Sequence, residues 1–151
     1  MTYLTTETVQ LNTPSTSKEE AIKRAGELLV KAGHVAPQYI DGMLAREETM
    51  STYIGNGVAI PHGQFDDKAN IHSTGISVVQ FPEGVVWGED EMAYLVIGIA
   101  ATSNEHVGVL TNLAEVLEEP EDVEKLIRTT DPMVIIERLS RPLPQQVTEP
   151  I

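Results

Sequence analysis

Cysteine is absent from this chain of 151 residues. Its absence excludes disulfide bonds, thiolate metal sites and a cysteine nucleophile. No apolar run reaches the roughly 20 residues that a membrane-spanning helix needs. The first residues, MTYLTTETVQLN, combine no basic start with an apolar stretch, so they do not predict a signal peptide. These absences indicate a cytoplasmic protein without direct membrane insertion.

Basic residues are also few. Ten Lys and Arg stand against 23 Asp and Glu, which gives a net charge of −13. A surface of this sign repels the phosphates of nucleic acids and the headgroups of anionic lipids, which argues against a function on either. It favours a basic protein partner, because long-range attraction steers such a partner into contact. The same charge also serves solubility alone.

Residues 1–140 carry the signals of one domain. A capping box at Ser17–Glu20 predicts the start of a first helix, and Gly33 predicts its end. Pro37 lies in the first turn of a predicted second helix that ends near Glu48.

Further strands and helices alternate along the rest of the domain. Strands are predicted at 7–11, 57–60, 75–81 and 93–101, and helices at 103–117, 121–128 and 132–139. This alternation predicts an α/β fold with helices on both faces of the sheet, although it leaves the strand order open. Residues 141–151 contain three prolines and no apolar periodicity, which predicts a flexible C-terminal tail.

Two of the four histidines follow predicted strands. His62 comes two residues after the strand at 57–60, and His106 lies at the start of the helix after the strand at 93–101. Ligands of open α/β sheets bind beyond the carboxyl ends of the strands. If the two strands are parallel neighbours, both imidazoles reach the same rim of the sheet.

The residues around His62 suit a nucleophile. Pro61 fixes the backbone direction, and Gly63 leaves room beside the imidazole for a bulky group or a partner's backbone. A free imidazole, with a pKa of about 6.5, is largely neutral at pH 7, so one of its nitrogens can attack an electrophile. A hydrogen bond to the other nitrogen would fix the tautomer. The alternative is an ordinary loop histidine.

His106 lies in the first turn of its predicted helix, where backbone N–H groups and the helix dipole favour an anion. Oriented donors of this kind stabilise the charge that a phosphoryl group spreads over three oxygens during transfer. The alternative is that Ser103 caps the helix and His106 is merely exposed. Arg46, in the last turn of the second helix, matches phosphate by geometry. A cation there is also common because it complements the helix dipole.

Other kinds of site are poorly supported. His34 and His72 have the context of surface histidines, and Asp66, Asp67 and His72 fit no known metal-ligand spacing. The glycines at 55 and 57 lack the third glycine of a dinucleotide fingerprint. Neither a nucleotide P-loop nor a G-x-S-x-G hydrolase motif is present. The sequence therefore predicts no cofactor and no metal.

Four blocks of sequence, taken in order, resemble one family. Residues 57–63 (GVAIPHG) resemble the phosphohistidine motif of enzyme IIA components of the mannitol/fructose class, from the bacterial phosphoenolpyruvate-dependent sugar phosphotransferase system. The segment before that motif is matched by 43–48 (MLAREE) and 53–55 (YIG). The resemblance to the mannitol branch in particular comes from residues 80–85 (QFPEGV), 95–101 (LVIGIAA) and 104–106 (NEH). The likeness extends from about residue 4 to about residue 140.

The resemblance implies a three-layer α/β/α sandwich around a small mixed sheet. It implies that the phosphocarrier protein HPr delivers a phosphoryl group to Nε2 of His62, which passes it to a cysteine of a IIB component. The IIB component then phosphorylates mannitol or a related alditol as the sugar crosses the IIC membrane channel. His106 and Arg46 match positions that hold the phosphoryl group. Without a cysteine or a membrane segment, the chain is expected to be a IIA component without IIB or IIC.

Two other functions stay open. Nitrogen-related members of the same superfamily use the phosphohistidine to switch protein partners, and would also be phosphorylated at the residue matching His62. The blocks at 80–85 and 95–101 favour transport over such regulation. A metal-dependent hydrolase would instead contain bound metal after purification.

Overall fold

Five strands form one mixed sheet in the computed structural model of the protein, which describes residues 3–102 and 106–140. The strands are β1 (Val9–Gln10), β2 (Tyr53–Gly55), β3 (Val58–Ala59), β4 (Gly75–Gly88) and β5 (Glu91–Ala100). The helices are α1 (Lys18–Lys31), α2 (Gln38–Thr49), α3 (His106–Val116), α4 (Pro120–Arg128) and α5 (Pro132–Ser140).

The strand order is β1-β4-β5-β3-β2. The central pair, β4 and β5, is an antiparallel hairpin, while β1 joins β4 and β3 joins β5 in parallel. The outer strand β2 runs antiparallel to β3. Parallel and antiparallel pairs occur in one sheet, as the predicted mixed sheet requires.

The side chains of β5 alternate between two hydrophobic cores. Leu95, Ile97 and Ile99 pack in the core that holds the buried faces of α3, α4 and α5. Val96 and Ala100 pack in the other core with residues of α1 and α2. Because both faces of the strand are covered, its sequence is almost continuously apolar. The predicted α/β/α sandwich is confirmed.

Local signals placed most of the helices correctly. The Ser17 hydroxyl accepts a hydrogen bond from the Glu20 N–H at 3.1 Å, so α1 begins where the capping box predicts. The Asp131 carboxylate accepts from the Met133 N–H at 3.0 Å and caps α5. The start of the third predicted helix at 103–105 and the predicted tail at 141–151 lie outside the described residues.

Strand predictions were less accurate. The strand predicted at 7–11 is a 3-10 turn at Thr6–Thr8 followed by the two residues of β1. The strand predicted to end at residue 81 continues to Gly88, so the interpretation of Pro82–Gly84 as a terminating turn was wrong. These residues form a bulge instead: the pairing with β5 shifts between Gln80 and Val85, and Gly84 has φ +83°.

Candidate functional site

His62 lies where the chain of β3 leaves the sheet. An isolated bridge pairs His62 with Ile99 of β5, in the same register as the β3–β5 ladder. The N–H of Ile99 donates to the Pro61 carbonyl at 3.0 Å. The strands that precede His62 and His106, β3 and β5, are thus parallel neighbours. This is the condition under which both imidazoles are expected to reach the same rim of the sheet.

The imidazole of His62 is oriented by its own turn. Its Nδ1 lies 2.8 Å from the backbone carbonyl of Ile60. A carbonyl oxygen can only accept, so this bond keeps the ring proton on Nδ1. In that tautomer the ring's nucleophilic lone pair is on Nε2. The ring is half-buried.

Hydrogen bonds fix the backbone on both sides of His62. Before it, the Ile60 N–H donates to the Thr52 carbonyl at 3.0 Å, which ties the segment to the chain that enters β2. After it, the Gly63 N–H donates to the Tyr39 hydroxyl at 2.8 Å. The backbone before His62 is therefore held by the segment that enters β2, and the backbone after it is held by Tyr39 of α2.

The expected role of Gly63 needs correction. The space beside it is not kept open for a ligand, because the ring of Tyr39 fills it. A Cβ at Gly63 would lie 2.6 Å from Cε1 of Tyr39, closer than real Cβ contacts come. The glycine therefore permits close packing between α2 and the histidine loop.

His106 is the first residue of α3, the helix that follows β5. Its predicted position in the first turn of this helix depends on residues 103–105, which lie outside the described residues, and stays a prediction. Ser103, the alternative cap of this helix, lies outside the described residues. A common site for His62 and His106 stays a prediction from strand order.

Arg46 lies in the last turn of α2, as predicted. Its Nη1 donates to the Met50 carbonyl at 2.7 Å, so the guanidinium closes the C-terminal end of its own helix. Met50 is two residues before Thr52, which binds the backbone of Ile60. Arg46 is therefore attached to the segment that lies beside the histidine turn, and its contact with a phosphoryl group stays a prediction.

The sequence interpretation missed a buried carboxylate next to Arg46. Glu47 is 6% exposed. It accepts from the Thr52 hydroxyl at 2.5 Å, from the Thr52 N–H at 3.1 Å and from the Trp87 indole at 2.9 Å, and it pairs with Lys18 at 3.3 Å. Burial alone would raise the pKa of Glu47, but these hydrogen bonds and the Lys18 charge outweigh burial and lower it.

A sequence signal for Glu47 did exist. It follows Met43 by one helical turn and therefore lies on the buried, apolar face of α2. A carboxylate on such a face requires partners. Glu47 thus joins α1, α2 and β4.

The other two histidines have different environments. His72 is exposed, as expected. His34, also predicted to be a surface histidine, is half-buried, and its Nδ1 lies 2.9 Å from the Ser73 hydroxyl. Burial lowers the pKa of His34, and a hydrogen bond with the Ser73 backbone opposes this in part. The surface interpretation was therefore wrong for His34.

Neither a metal centre nor a membrane span is found in the part of the chain that the structure describes. No group of three or more His, Asp or Glu side chains there could hold a metal ion. None of the described helices is both long and apolar enough to cross a bilayer.

Comparison with known proteins identifies close relatives. The mannitol-specific phosphotransferase enzyme IIA component of Bacillus subtilis (strain 168) is 47% identical over 84% of this chain and 89% of its own length. The multiphosphoryl transfer protein of Salmonella typhimurium is 51% identical over 76% of this chain. The chain spans only about 30% of the length of that larger protein.

A solved structure has the same fold. In the complex of enzyme IIAMTL and phosphorylated enzyme IIBMTL from Escherichia coli, one chain matches with a TM-score of 0.86 and 42% identity, over 93% of this chain and 99% of that chain. The model of the family described as "Phosphoenolpyruvate-dependent sugar phosphotransferase system, EIIA 2" matches residues 2–141. The chain therefore belongs to the EIIA 2 family of the phosphoenolpyruvate-dependent sugar phosphotransferase system.

Proposed function

We propose that this chain is a cytoplasmic phosphocarrier of a mannitol phosphotransferase system. It accepts a phosphoryl group from phospho-HPr on Nε2 of His62 and passes it to a cysteine of a IIB component, for uptake of mannitol or a related alditol through a IIB–IIC membrane component. The observation that carries the proposal is the hydrogen bond from His62 Nδ1 to the Ile60 carbonyl, because it puts the lone pair on Nε2. The likeness to mannitol enzyme IIA proteins supports the choice of sugar.

The transfer needs no base on this chain. The Nε2 lone pair attacks phosphorus and forms an N–P bond, while the bond to the donor nitrogen breaks and returns its electron pair to the donor. The Nδ1 proton stays on His62, and the Ile60 carbonyl stabilises the positive charge that the phosphorylated ring acquires. In the second transfer a cysteine thiolate attacks phosphorus, and the electron pair returns to Nε2.

His106 and Arg46 are proposed to stabilise the phosphoryl oxygens during both transfers. His106 belongs to α3, and its predicted place in the first turn of that helix would favour a negatively charged group. The Arg46 guanidinium, now on the Met50 carbonyl, has further N–H donors for a phosphoryl oxygen. By analogy with lost oxyanion donors, His106→Ala is expected to slow transfer by roughly 10- to 1,000-fold without unfolding the protein.

A reconstituted system tests the proposal. Purified protein is incubated with phosphoenolpyruvate, enzyme I, HPr and membranes that contain a mannitol IIB–IIC component. We expect mannitol phosphate to form, and we expect His62→Ala to abolish both the product and the protein-bound label. His72→Ala is the matched control, because His72 is exposed and lies outside the proposed site. Undiminished labelling of His62→Ala would refute the proposed nucleophile.

Two further results would redirect the proposal. A phosphohistidine is a phosphoramidate, so acid should remove the label and alkali should spare it; the opposite stabilities would indicate a different acceptor. Labelling of His62 without any mannitol phosphate would favour the regulatory function of the nitrogen-related proteins over transport.

A further inference from the structure

The Tyr39 hydroxyl bridges the two strands at the level of His62. It donates to the Ile99 carbonyl and accepts from the Gly63 N–H, both at 2.8 Å. The side chain is 3% exposed, and burial raises the pKa of Tyr39 to about 12. The hydroxyl is therefore protonated throughout the physiological range and can make both bonds at once.

This hydroxyl binds the two backbone groups that face each other at a regular ladder position. In a parallel ladder, the two neighbours of a bridged residue both bond to its partner on the other strand. The residue before it accepts from the partner's N–H, and the residue after it donates to the partner's carbonyl. Opposite His62, the first is present, since the Ile99 N–H donates to the Pro61 carbonyl. The second position joins the Gly63 N–H and the Ile99 carbonyl, and the Tyr39 hydroxyl binds both of these groups.

Proline makes this bridge more important. Pro61 has no N–H, so it offers no donor to the β5 backbone just before His62. The histidine turn is thus held to β5 by the Ile99–Pro61 bond on one side and by the Tyr39 hydroxyl on the other. Without the hydroxyl, the Gly63 N–H would either bond directly to the Ile99 carbonyl or have no acceptor. Either change would move the backbone next to His62.

Tyr39 also connects this turn to Arg46. The two residues are seven apart in α2, which is two helical turns, and so lie on the same side of the helix. Anchoring Tyr39 between Ile99 and Gly63 therefore sets the distance between the helix that carries Arg46 and the turn that carries His62.

We propose that Tyr39 is a positioning residue for phosphoryl transfer, which aligns His62 with the incoming phosphorus through its hydroxyl bridge between Gly63 and Ile99. The inference rests on the proposed function of His62. Because Tyr39 is buried, we assign it a positioning role and no direct contact with a partner protein. Its loss should therefore reduce the rate of the chemical step and leave the binding of the donor protein unchanged.

The chain offers a matched control for the missing hydroxyl. Tyr53 makes the same kind of bridge at the other end of β3: its hydroxyl accepts from the Gly57 N–H and donates to the Met92 carbonyl, both at 3.2 Å. Tyr53→Phe and Tyr39→Phe thus each remove one bridging hydroxyl between β3 and β5. They differ in whether the bridge is next to His62.

The test measures phosphorylation of each variant by phospho-HPr. For Tyr39→Phe we expect kcat to fall by about 10- to 100-fold, as for a small misplacement of a reacting group, with KM for phospho-HPr within twofold of wild type. Tyr53→Phe should keep the wild-type kcat and KM. Gly63→Ala is a second variant, because its Cβ would push against the Tyr39 ring. It should reproduce the fall in kcat with the hydroxyl still present.

Each outcome decides the inference. An unchanged kcat for Tyr39→Phe, whatever the result for Gly63→Ala, an equal fall for Tyr53→Phe, or a raised KM with unchanged kcat would overturn the positioning role while leaving the proposed function intact. A wild-type protein that is not labelled on His62 would overturn both.

Discussion

Replacing Glu47 by Gln tests the buried network that joins α1, α2 and β4. The substitution keeps the shape of the side chain and removes its charge and one acceptor oxygen. In the wild-type protein the two oxygens receive donors from Thr52 and Trp87 and pair with Lys18. Since Trp87 Nε1 and Lys18 Nζ can only donate, an amide nitrogen that replaces the oxygen beside them satisfies neither.

The size of the effect follows from these contacts. A hydrogen bond to a charged group contributes about 1.5–3 kcal/mol, and an unsatisfied buried donor costs about 1–3 kcal/mol. Lys18 is 26% exposed and can turn toward water, so the loss of its partner adds less than in a fully buried pair. Because these terms are not additive, we expect Glu47→Gln to lower the free energy of unfolding by about 2–4 kcal/mol.

Urea unfolding measures this difference. Trp87 is the only tryptophan of the chain and contacts Glu47 directly, so its fluorescence reports on this region, and far-UV circular dichroism reports on the whole fold. The control is Glu124→Gln, which removes an exposed carboxylate paired with Arg128, and should leave the unfolding midpoint nearly unchanged. A Glu47→Gln protein within about 0.5 kcal/mol of wild type would refute the assigned role of the network.

Three other perturbations probe the fold around the site. Gln80→Leu should destabilise the protein by about 2 kcal/mol in urea unfolding, because the buried Gln80 amide binds the Asn12 N–H and the carbonyls of Leu126 and Thr129. Gly98→Ala should cost about 1–3 kcal/mol in the same assay, since its Cβ would lie 2.5 Å from the Ser77 hydroxyl and 3.1 Å from the Ala25 Cβ. An NMR titration of His34 should give a midpoint below 6.5, because burial disfavours its charged form.

The helices could be predicted because their signals are local. The bond between Ser17 and Glu20 spans three residues, and the cap of α5 by Asp131 spans two. Such contacts depend only on neighbouring side chains and are visible in the sequence. The strand β5 could be predicted for a related reason, since burial on both faces requires an apolar run.

The strand β2 was missed although its turn has a signal. Gly55, Asn56 and Gly57 all have positive φ, which is typical of a tight hairpin connection, and they join β2 to β3. With Tyr53–Gly55 exposed or half-buried, β2 also lacks the apolar pattern of a core strand.

The position of His62 could be predicted, but the groups that hold it could not. From the sequence alone, the motif and the preceding strand place His62 at the rim of the sheet, just beyond the end of a strand. The Tyr39 hydroxyl reaches Ile99 across 60 residues, and Trp87 reaches Glu47 across 40. Contacts of this kind depend on the strand order, which alternation of helices and strands does not determine.

Three described groups have lowered pKa values, and two of them, His34 and Glu47, predict separate losses of stability in acid. His34 binds protons more readily in the unfolded chain, where its pKa is 6.5, so its neutral form stabilises the fold above that pH and this contribution is lost as the pH falls through the lower folded pKa. The ionised form of Glu47 likewise stabilises the fold, and this contribution is lost as the pH falls below the unfolded-state pKa of 4.5 and through the lower folded pKa. His34→Asn should therefore remove only the upper loss from urea-unfolding profiles measured between pH 7 and pH 3, and Glu47→Gln should reduce only the lower, to which the Asp122–Arg138 pair also contributes. A single loss that neither variant alters would show that other groups control the acid stability.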